Sequence, residues 1–335
     1  MRILITGAGR AIGAATATEL TRAGHEVVAT ARDVTALDHL DVALRLPLDV
    51  TDDTSVTAAL AAAGELDAVV NNAALNGKGP LESFPLGGLE SVFATNVFGA
   101  LRVVQPLLAS WRPRGSGVIV NVSSIQGRVA TPLDGPYSAS KYALESLSET
   151  LHYELGHFGI RVVIIEPGYT APGMKTGGRV PGDPAYAELW AQWEHTDEVV
   201  TGPSGRPGPE SVATAIRRAI EDPATPLRVP VGEDAALVLG ARSALGDAEF
   251  EASMRAVLGL TWCPPPADRG GPVVHGPVGS GAEPPGRPVL SGRSAGSGRP
   301  STGSRAAPYG RPGPYPWRRR RPPCGASRPR PRPAR

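Results

Sequence analysis

Thr6-Gly7-Ala8-Gly9-Arg10-Ala11-Ile12-Gly13 is the stretch that decides the fold of this chain of 335 residues. It separates a short apolar run, Arg2–Thr6, from Ala11–Ala23, whose alanine, leucine and threonine content is typical of a helix. A glycine-rich turn between a strand and a helix lets the backbone approach a diphosphate, and the helix N-terminus supplies free N–H groups and positive potential. The stretch predicts a nucleotide-binding turn. The alternative is a turn that only joins two packed elements.

Strand-like and helix-like segments alternate along the first 262 residues. The predicted strands are Arg2–Thr6, Glu26–Thr30, Ala43–Leu48, Ala68–Asn71, Gly117–Val122, Ile160–Ile165 and Pro226–Val231. The predicted helices are Ala11–Ala23, Ser55–Ala63 (capped by Asp52 or Asp53), Leu89–Trp111, Tyr137–Phe158, Ala185–Glu194 and Pro209–Ile220. This alternation indicates βαβ units, so we expect a Rossmann-type, doubly wound parallel sheet in a three-layer α/β/α arrangement.

The composition changes sharply after Trp262. Residues 263–335 contain 18 Pro, 13 Gly and 14 Arg, with no Lys and two acidic residues, for a net charge of +12. Because the whole chain carries +2, residues 1–262 carry −10. We predict one dinucleotide-binding catalytic domain over 1–262 and a disordered tail over 263–335, which cannot bury enough apolar surface to offset chain entropy.

Several interpretations of the tail stay open, and docking on the acidic residues 1–262 or on an anionic membrane surface is one of them. The run Arg318-Arg319-Arg320-Arg321 and the nearby aromatic residues suit contacts with nucleic acid, through charge on phosphates and stacking on bases. The reading we favour is an appendage without a specific function, because its make-up is what GC-rich codons give when read out of frame.

Several classes of protein are not supported by the sequence. No run of 18 or more apolar residues predicts a transmembrane helix, and the N-terminus lacks the pattern of a signal peptide. Cys263 and Cys324 are the only cysteines, and the six histidines lack metal-ligand spacing. We therefore expect a cytoplasmic protein without a metal site and without a membrane partner.

Together, the motifs resemble those of the short-chain dehydrogenase/reductase family, and each falls at the expected strand end or helix. TGAGRAIG is similar to the family's TGxxx[A/G]xG, with Ala11 in place of the commoner glycine. The other matches, over about residues 1–230, are Asp49-Val50, Asn71-Asn72-Ala73-Ala74, Asn96, Ser124, Tyr137-Ser138-Ala139-Ser140-Lys141 and Pro167-Gly168. In this family a threonine that holds the nicotinamide amide often stands at the position where this chain has Pro172. Thr170 is therefore the candidate for this contact.

The resemblance implies a catalytic tetrad of Asn96, Ser124, Tyr137 and Lys141. Tyr137 and Lys141 are four residues apart and so share a helix face. A neighbouring ammonium, together with an oxidised nicotinamide, is expected to lower the pKa of the phenol and make Tyr137 a general acid and base. Ser124 would hold the substrate oxygen, and Asn96 would support a water beside Lys141. Taken singly, each of these residues has a purely structural explanation.

We predict a dinucleotide site built from the glycine-rich turn, the ends of later strands and two of the catalytic residues. Its predicted members are Gly7, Arg10, Ala11, Ile12, Gly13, Arg32, Asp49, Val50, Asn72, Ala73, Tyr137, Lys141, Pro167, Gly168 and Thr170. Ala31 occupies the place of the acid that binds the ribose of NAD, whereas Arg10 and Arg32 suit a 2′-phosphate. NADP(H) is therefore favoured over NAD(H), although Asp33 is counter-evidence unless it caps the next turn.

The segment 169–208 interrupts the alternation and predicts a lid over the substrate. Tyr186, Leu189, Trp190 and Trp193 are expected to cover an apolar carbonyl compound or its alcohol, or else Tyr186, Leu189 and Trp193 form a core stripe. By resemblance, the chain pairs through its two long helices as a homodimer or homotetramer.

The predicted function is the interconversion of a ketone or aldehyde and its alcohol by hydride transfer. A non-enzymatic NADP-sensing regulator on the same fold is the alternative, and a family member with epimerase or dehydratase chemistry is a third hypothesis. Retention of both Tyr137 and Lys141 counts against the sensor.

Overall fold

The computed structural model describes residues 1–172, 174, 176–179, 184–201 and 206–261. The tail predicted for 263–335 lies outside the described residues, as do parts of the predicted lid. The strands are β1 (Arg2–Ile5), β2 (Glu26–Ala31), β3 (Leu44–Pro47), β4 (Ala68–Asn71), β5 (Asn76–Lys78), β6 (Gly117–Val122), β7 (Ile160–Pro167), β8 (Thr176–Arg179) and β9 (Arg228–Val231). The helices are α1 (Ala11–Arg22), α2 (Asp53–Ala63), α3 (Leu86–Phe93), α4 (Gly99–Arg114), α5 (Gly135–Gly156), α6 (Ala187–Thr201), α7 (Glu210–Glu221), α8 (Glu233–Ala244) and α9 (Asp247–Val257).

Seven strands form one sheet in the order β3-β2-β1-β4-β6-β7-β9, and every pairing is parallel. The strand order reverses beside β1, which pairs with β2 on one side and β4 on the other. The expected doubly wound sheet is therefore confirmed. In such sheets the carboxyl ends of the strands around the reversal form the ligand crevice.

The sheet is buried on both faces, as its continuous apolar strands predict. Side chains such as Ile3, Ile5 and Val120 pack on one face against α1 and α7. Leu4 and Ile119 lie in the second cluster, together with residues of α2, α4 and α5. This alternation of side chains along each strand produces the three-layer arrangement.

The long helical segment before β6 differs from the prediction. It begins at Leu86 rather than Leu89, and a π-helical turn at Ala94–Phe98 joins α3 to α4. By length and a mean hydropathy of 1.4, Leu86–Arg114 is apolar enough to cross a membrane. Core helices of globular proteins pass the same test, and Trp111 in this helix is fully buried in the cluster beneath the sheet.

Four further elements were not predicted. β5 and β8 form a separate parallel two-stranded sheet. α8 and α9 follow β9, in a region where the sequence has no long apolar repeat. The other boundaries agree to within about three residues, except that α6 extends to Thr201, and Asp52 is the residue that caps α2, through a 2.9 Å bond from the Thr54 amide.

Gly117 and Trp111 provide a test of the packing beneath the sheet. A methyl group at Gly117 would lie 2.2 Å from the Trp111 ring, so we expect Gly117→Ala to lower the free energy of unfolding by about 1–3 kcal/mol. Gly156→Ala is the matched control, because a methyl group there meets nothing within 4 Å and alanine favours the helix. Urea unfolding of both variants measures the difference, and equal midpoints would contradict this account of the contact.

Candidate active site

The glycine-rich turn leaves no room for larger side chains on its inner side. Gly7 has a φ of +66°, and a Cβ on Gly13 would lie 2.3 Å from the Gly7 carbonyl oxygen. A Cβ on Gly9 would lie 3.0 Å from the Ala36 methyl group. The backbone of the turn is therefore pressed against its neighbours, and the N-terminus of α1 opens toward the crevice.

Ala11 takes an unusual conformation at the start of α1. Its φ of +46° lies in the left-handed region, which costs a non-glycine residue about 1–2 kcal/mol. This explains why glycine is the commoner residue at this point of the motif. Alanine is accommodated here, as predicted, but in a strained backbone conformation.

Thr6 and Asn72 fasten the turn to the end of β4. The Thr6 hydroxyl accepts hydrogen bonds from the amides of Asn72 and Ala73, both at 3.0 Å. The Asn72 side-chain amide donates to the carbonyls of Thr6 and Gly7, also at 3.0 Å. These bonds fix the distance between two of the predicted cofactor-binding segments.

Two arginines stand free at the outer end of the crevice. Arg10 and Arg32 are exposed, and neither guanidinium forms a hydrogen bond or an ion pair with the residues that the structure describes. Asp33 instead accepts bonds from the Thr35 amide at 3.0 Å and the Thr35 hydroxyl at 2.7 Å, which lower the pKa of its carboxyl. Asp33 thus caps the next turn, as the NADP(H) interpretation requires.

Local hydrogen bonds orient the Asp49 carboxylate in the same way as that of Asp33. Its carboxylate accepts from the Thr51 amide and hydroxyl at 2.9 and 2.7 Å. Partial burial acts to raise its pKa, but the bonds from Thr51 and the charges of Arg32 and Arg102 outweigh this and lower the pKa. Asp49 is therefore held ionised at the wall of the crevice.

A single cleft of about 630 Å³ joins the predicted cofactor and catalytic residues. Of the predicted cofactor residues, only Gly13 is missing from its wall, because Gly13 lies beneath the turn. The predicted residues that line it are Gly7, Arg10, Ala11, Ile12, Arg32, Asp49, Val50, Asn72, Ala73, Ser124, Tyr137, Lys141, Pro167, Gly168 and Thr170. The bare glycine turn and the length of the wall fit a dinucleotide.

Tyr137 and Ser124 meet at the inner end of this cleft. Tyr137 lies in the first turn of α5 and is 9% exposed, and Ser124 is half-buried after β6. Burial raises the pKa of the Tyr137 phenol, a hydrogen bond with Ser124 opposes the rise, and the charge of Asp134 adds to it. The chain's own groups therefore keep the phenol protonated.

Lys141 lies beside Tyr137, and the expected lowering of the Tyr137 pKa by this ammonium together with an oxidised nicotinamide stays a prediction. The Lys141 ammonium donates a 2.7 Å hydrogen bond to the Val122 carbonyl and lies 5.5 Å from the centroid of the Tyr137 ring. Burial lowers the pKa of Lys141 itself to about 8, against the opposing charge of Glu145. Burial is the largest cause of the shift for both side chains.

Asn96 lies behind the cleft rather than in its wall. It occupies the π-helical turn, where its side chain exchanges two bonds with the Leu75 backbone, at 2.7 and 2.9 Å, and donates to Ser140. A cavity of about 10 Å³ separates it from Lys141, about the size of one water molecule. Asn96 is thus placed beside Lys141 without touching it.

The aromatic residues of the predicted lid divide between two roles. Trp193 lines the cleft, whereas Tyr186, Leu189 and Trp190 do not. Leu189, Trp190 and Trp193 pack in one buried cluster with Leu133, Leu258 and Leu260, and Tyr186 packs against it. The core-stripe alternative therefore describes most of this segment, and Trp193 alone of the four faces the site.

Other residues at the site were not predicted. Gln126 lines the cleft, accepts a 3.0 Å bond from Ser138 and donates to Asp134. Asp234, at the start of α8, accepts a 2.7 Å bond from the Tyr169 amide next to the Pro167-Gly168 turn. The bond between Asp234 and Tyr169 joins residues 65 apart in the chain, so no local spacing indicates it.

The described residues contain no group of His, Cys, Asp and Glu arranged to hold a metal ion. His152 and His157 are exposed, and each ring lies edge-on to the aromatic ring that follows it.

Comparison with known proteins gives consistent matches. A family model for short chain dehydrogenase matches residues 1–179. An uncharacterized oxidoreductase of Schizosaccharomyces pombe is 33% identical over 233 residues, which cover 68% of this chain and 98% of that protein. Human retinol dehydrogenase 8 is 37% identical over 179 residues, covering 50% of this chain and 58% of that protein. The crystal structure of a short-chain dehydrogenase from Streptomyces avermitilis superposes with a TM-score of 0.65 at 35% identity, covering 77% of this chain and 98% of that one.

The bonds around Thr6 yield a prediction. Thr6→Val keeps the shape of the side chain but leaves the Asn72 and Ala73 amides without an acceptor, so we expect a loss of about 1–3 kcal/mol in the free energy of unfolding. Thr150→Val removes a hydroxyl on the exposed face of α5 and serves as control. Denaturant titration compares the variants. A Thr6→Val protein as stable as the control variant would show that these bonds do not hold the turn.

Proposed function

Because the chain belongs to the short-chain dehydrogenase/reductase family, we propose that it is an NADP(H)-dependent oxidoreductase that interconverts a ketone or aldehyde and its alcohol. The observation that carries this proposal is the single cleft in which Tyr137, Ser124 and Lys141 meet the wall formed by the glycine turn. When bound, a nicotinamide dinucleotide supplies or accepts the hydride.

Different residues of the cleft would bind different parts of the cofactor. The backbone of the turn at Gly7 and Ile12, at the N-terminus of α1, would hold the diphosphate. Asp49 and Val50 would flank the adenine, and Asn72, Ala73, Pro167, Gly168 and Thr170 would hold the nicotinamide half. The fit rests on the glycine turn, because a Cβ at Gly13 would collide with the Gly7 carbonyl oxygen and displace the backbone that faces the cleft.

Tyr137 is proposed to move the proton at the substrate oxygen. Its phenol is kept protonated by burial, which suits a general acid in carbonyl reduction. The Ser124 hydroxyl would hold the same oxygen, and the Lys141 ammonium would stabilise the phenolate that forms. One water in the cavity between Asn96 and Lys141 would connect this lysine to further proton donors.

The substrate is proposed to be a small carbonyl compound or alcohol with an apolar body. Trp193, Met174 and Pro172 supply apolar wall at the end of the cleft near Tyr137, and Gln126 and Lys78 add polar groups. The apolar preference now rests on fewer aromatic residues than the sequence predicts, because the rest belong to the core.

Assembly and location are also proposals. Phe98 and Tyr153 are 54% and 72% exposed on the two long helices, and these apolar surfaces support pairing into a homodimer or homotetramer. The cytoplasmic location stays a prediction.

The role of Tyr137 can be tested by substitution. We expect Tyr137→Phe to reduce carbonyl turnover by about 10²–10⁴-fold while dinucleotide binding is kept, because only the transferable proton is lost. Turnover is followed at the near-ultraviolet band of NADPH with a panel of ketones and aldehydes. Tyr142→Phe, on the same helix but 43% exposed, is the control. Tight NADPH binding without turnover by the unmodified protein would instead favour the sensor.

The cofactor preference rests on the free guanidiniums. We expect Arg32→Ala to weaken NADPH binding by about 10–10²-fold with little effect on NADH, because a charge-assisted hydrogen bond is worth about 1.5–3 kcal/mol. Arg22→Ala, at the far end of α1, is the control. Dissociation constants for both cofactors are measured by fluorescence titration, and an unchanged NADPH preference would refute this assignment.

A further inference from the structure

Lys78 lies in the short strand β5, and its neighbours fix the direction of its side chain. A Cβ on Gly77 would lie 2.7 Å from the Phe84 ring and 3.5 Å from a Val92 methyl group, so this face of β5 is packed against the protein. Burial alternates in the same way, since Gly77 is buried and Asn76 and Lys78 are half-buried. Because side chains alternate along a strand, Asn76 and Lys78 point away from Phe84, and both line the cleft.

Lys78 is held next to the segment that leads into Tyr137. The amide of the following residue, Gly79, donates a 2.8 Å hydrogen bond to the carbonyl of Leu133. Leu133 precedes Tyr137 by four residues, at the point where α5 is about to begin. The Lys78 ammonium, on its flexible four-carbon stem, is therefore a group of the inner end of the cleft, where Tyr137 and Ser124 meet.

The Lys78 ammonium is a positive charge that its surroundings do not pair. It forms no hydrogen bond and no ion pair with the residues that the structure describes, although the side chain is half-buried. Withdrawing a charged group from water costs free energy unless the group finds a partner of opposite charge. A negatively charged group of a ligand in the cleft would supply that partner.

The other charged side chains at this end of the cleft leave a positive excess. Arg206 also lines the cleft, and its guanidinium lies 5.2 Å from the centroid of the Tyr169 ring. Among the described residues, Asp134 is the acid that lines this end. Lys141 is buried and already donates to a backbone carbonyl, so it is left out of the count. Lys78 and Arg206 thus face one carboxylate, which suits a ligand with a single negative charge.

The dinucleotide would not supply this negative charge. In the proposed function its phosphate groups lie at the glycine turn and beside Arg10 and Arg32, at the outer end of the cleft. Its nicotinamide ring, which would lie at the inner end, carries no negative charge. An anionic group that pairs with Lys78 therefore has to belong to the substrate.

We propose that Lys78 selects carbonyl compounds, and the corresponding alcohols, that carry a carboxylate. The carbonyl oxygen would lie at the Tyr137 hydroxyl, and the apolar wall that includes Trp193 and Met174 would contact the body of the substrate. The Lys78 ammonium would bind the carboxylate through a charge-assisted hydrogen bond. Lys78 is then a specificity-determining residue, and this inference rests on the proposed function.

Benzoylpropionate and its methyl ester test this assignment, because they share the ketone and the aromatic ring and differ in charge. Dissociation constants for both compounds are measured by isothermal titration calorimetry, with and without NADP⁺, so that no hydride can be transferred. We expect the unmodified protein to bind the acid more tightly than the ester. Lys78→Met should lower the ratio of the two affinities by about 10–10²-fold, because the charge-assisted hydrogen bond is lost. Lys78→Arg, which keeps the charge, should retain most of the preference.

Arg112→Met is the matched control, since it removes one positive charge from the exposed last turn of α4 and should leave the affinity ratio unchanged. A ratio that Lys78→Met does not change would overturn the proposal. So would an unmodified protein that binds the ester as tightly as the acid, or that binds neither compound. This comparison on the unmodified protein keeps the test available if Lys78→Met fails to fold.

Turnover with NADPH separates this inference from the proposed function. Reduction of the acid and the ester with equal kcat/KM would overturn selection by Lys78 and leave the proposed function in place. A preference for the acid that depends on Lys78, without turnover of any ketone or aldehyde, would contradict the proposed function alone.

Discussion

The parallel pairing of β1 with both β2 and β4 is the constraint on which the site depends. It sends the chain to opposite sides of β1 and leaves the turn after β1 beside the end of β4. Thr6 and Asn72 close that gap with four hydrogen bonds of 3.0 Å. Because every strand of the large sheet runs the same way, the later strands deliver Ser124 and Gly168 to the same edge.

Burial governs the chemistry of this edge. Tyr137 and Lys141 are adjacent, yet desolvation moves the pKa of the phenol up and that of the ammonium down. Burial therefore favours the neutral form of both groups.

Local pattern was enough for the sheet and for the glycine turn, since the strands are short apolar runs and the turn follows the first of them. The four residues of the tetrad come from the resemblance to the family, and their roles stay a prediction. Local pattern was not enough for α8 and α9, whose sequences are short and only weakly periodic. Nor could it identify Asp234, because strand pairing alone brings it to its partner. Asn96 and Lys141 line the same small cavity, but the bonds of Asn96 to Leu75 depend on a π-helical turn that no sequence spacing indicates.

The bond between Asp234 and the Tyr169 amide joins the start of segment 169–208, the predicted lid, to the first turn of α8. There is also no room for a side chain at Gly168, where a Cβ would lie 2.2 Å from the Asp234 carboxylate. The turn at Gly168 and Tyr169 therefore fits closely against Asp234, although 65 residues separate Tyr169 from Asp234. If segment 169–208 is exchanged for that of a relative, residues 232–234 should be exchanged with it. A redesign of this region therefore has to change two separate stretches of the gene.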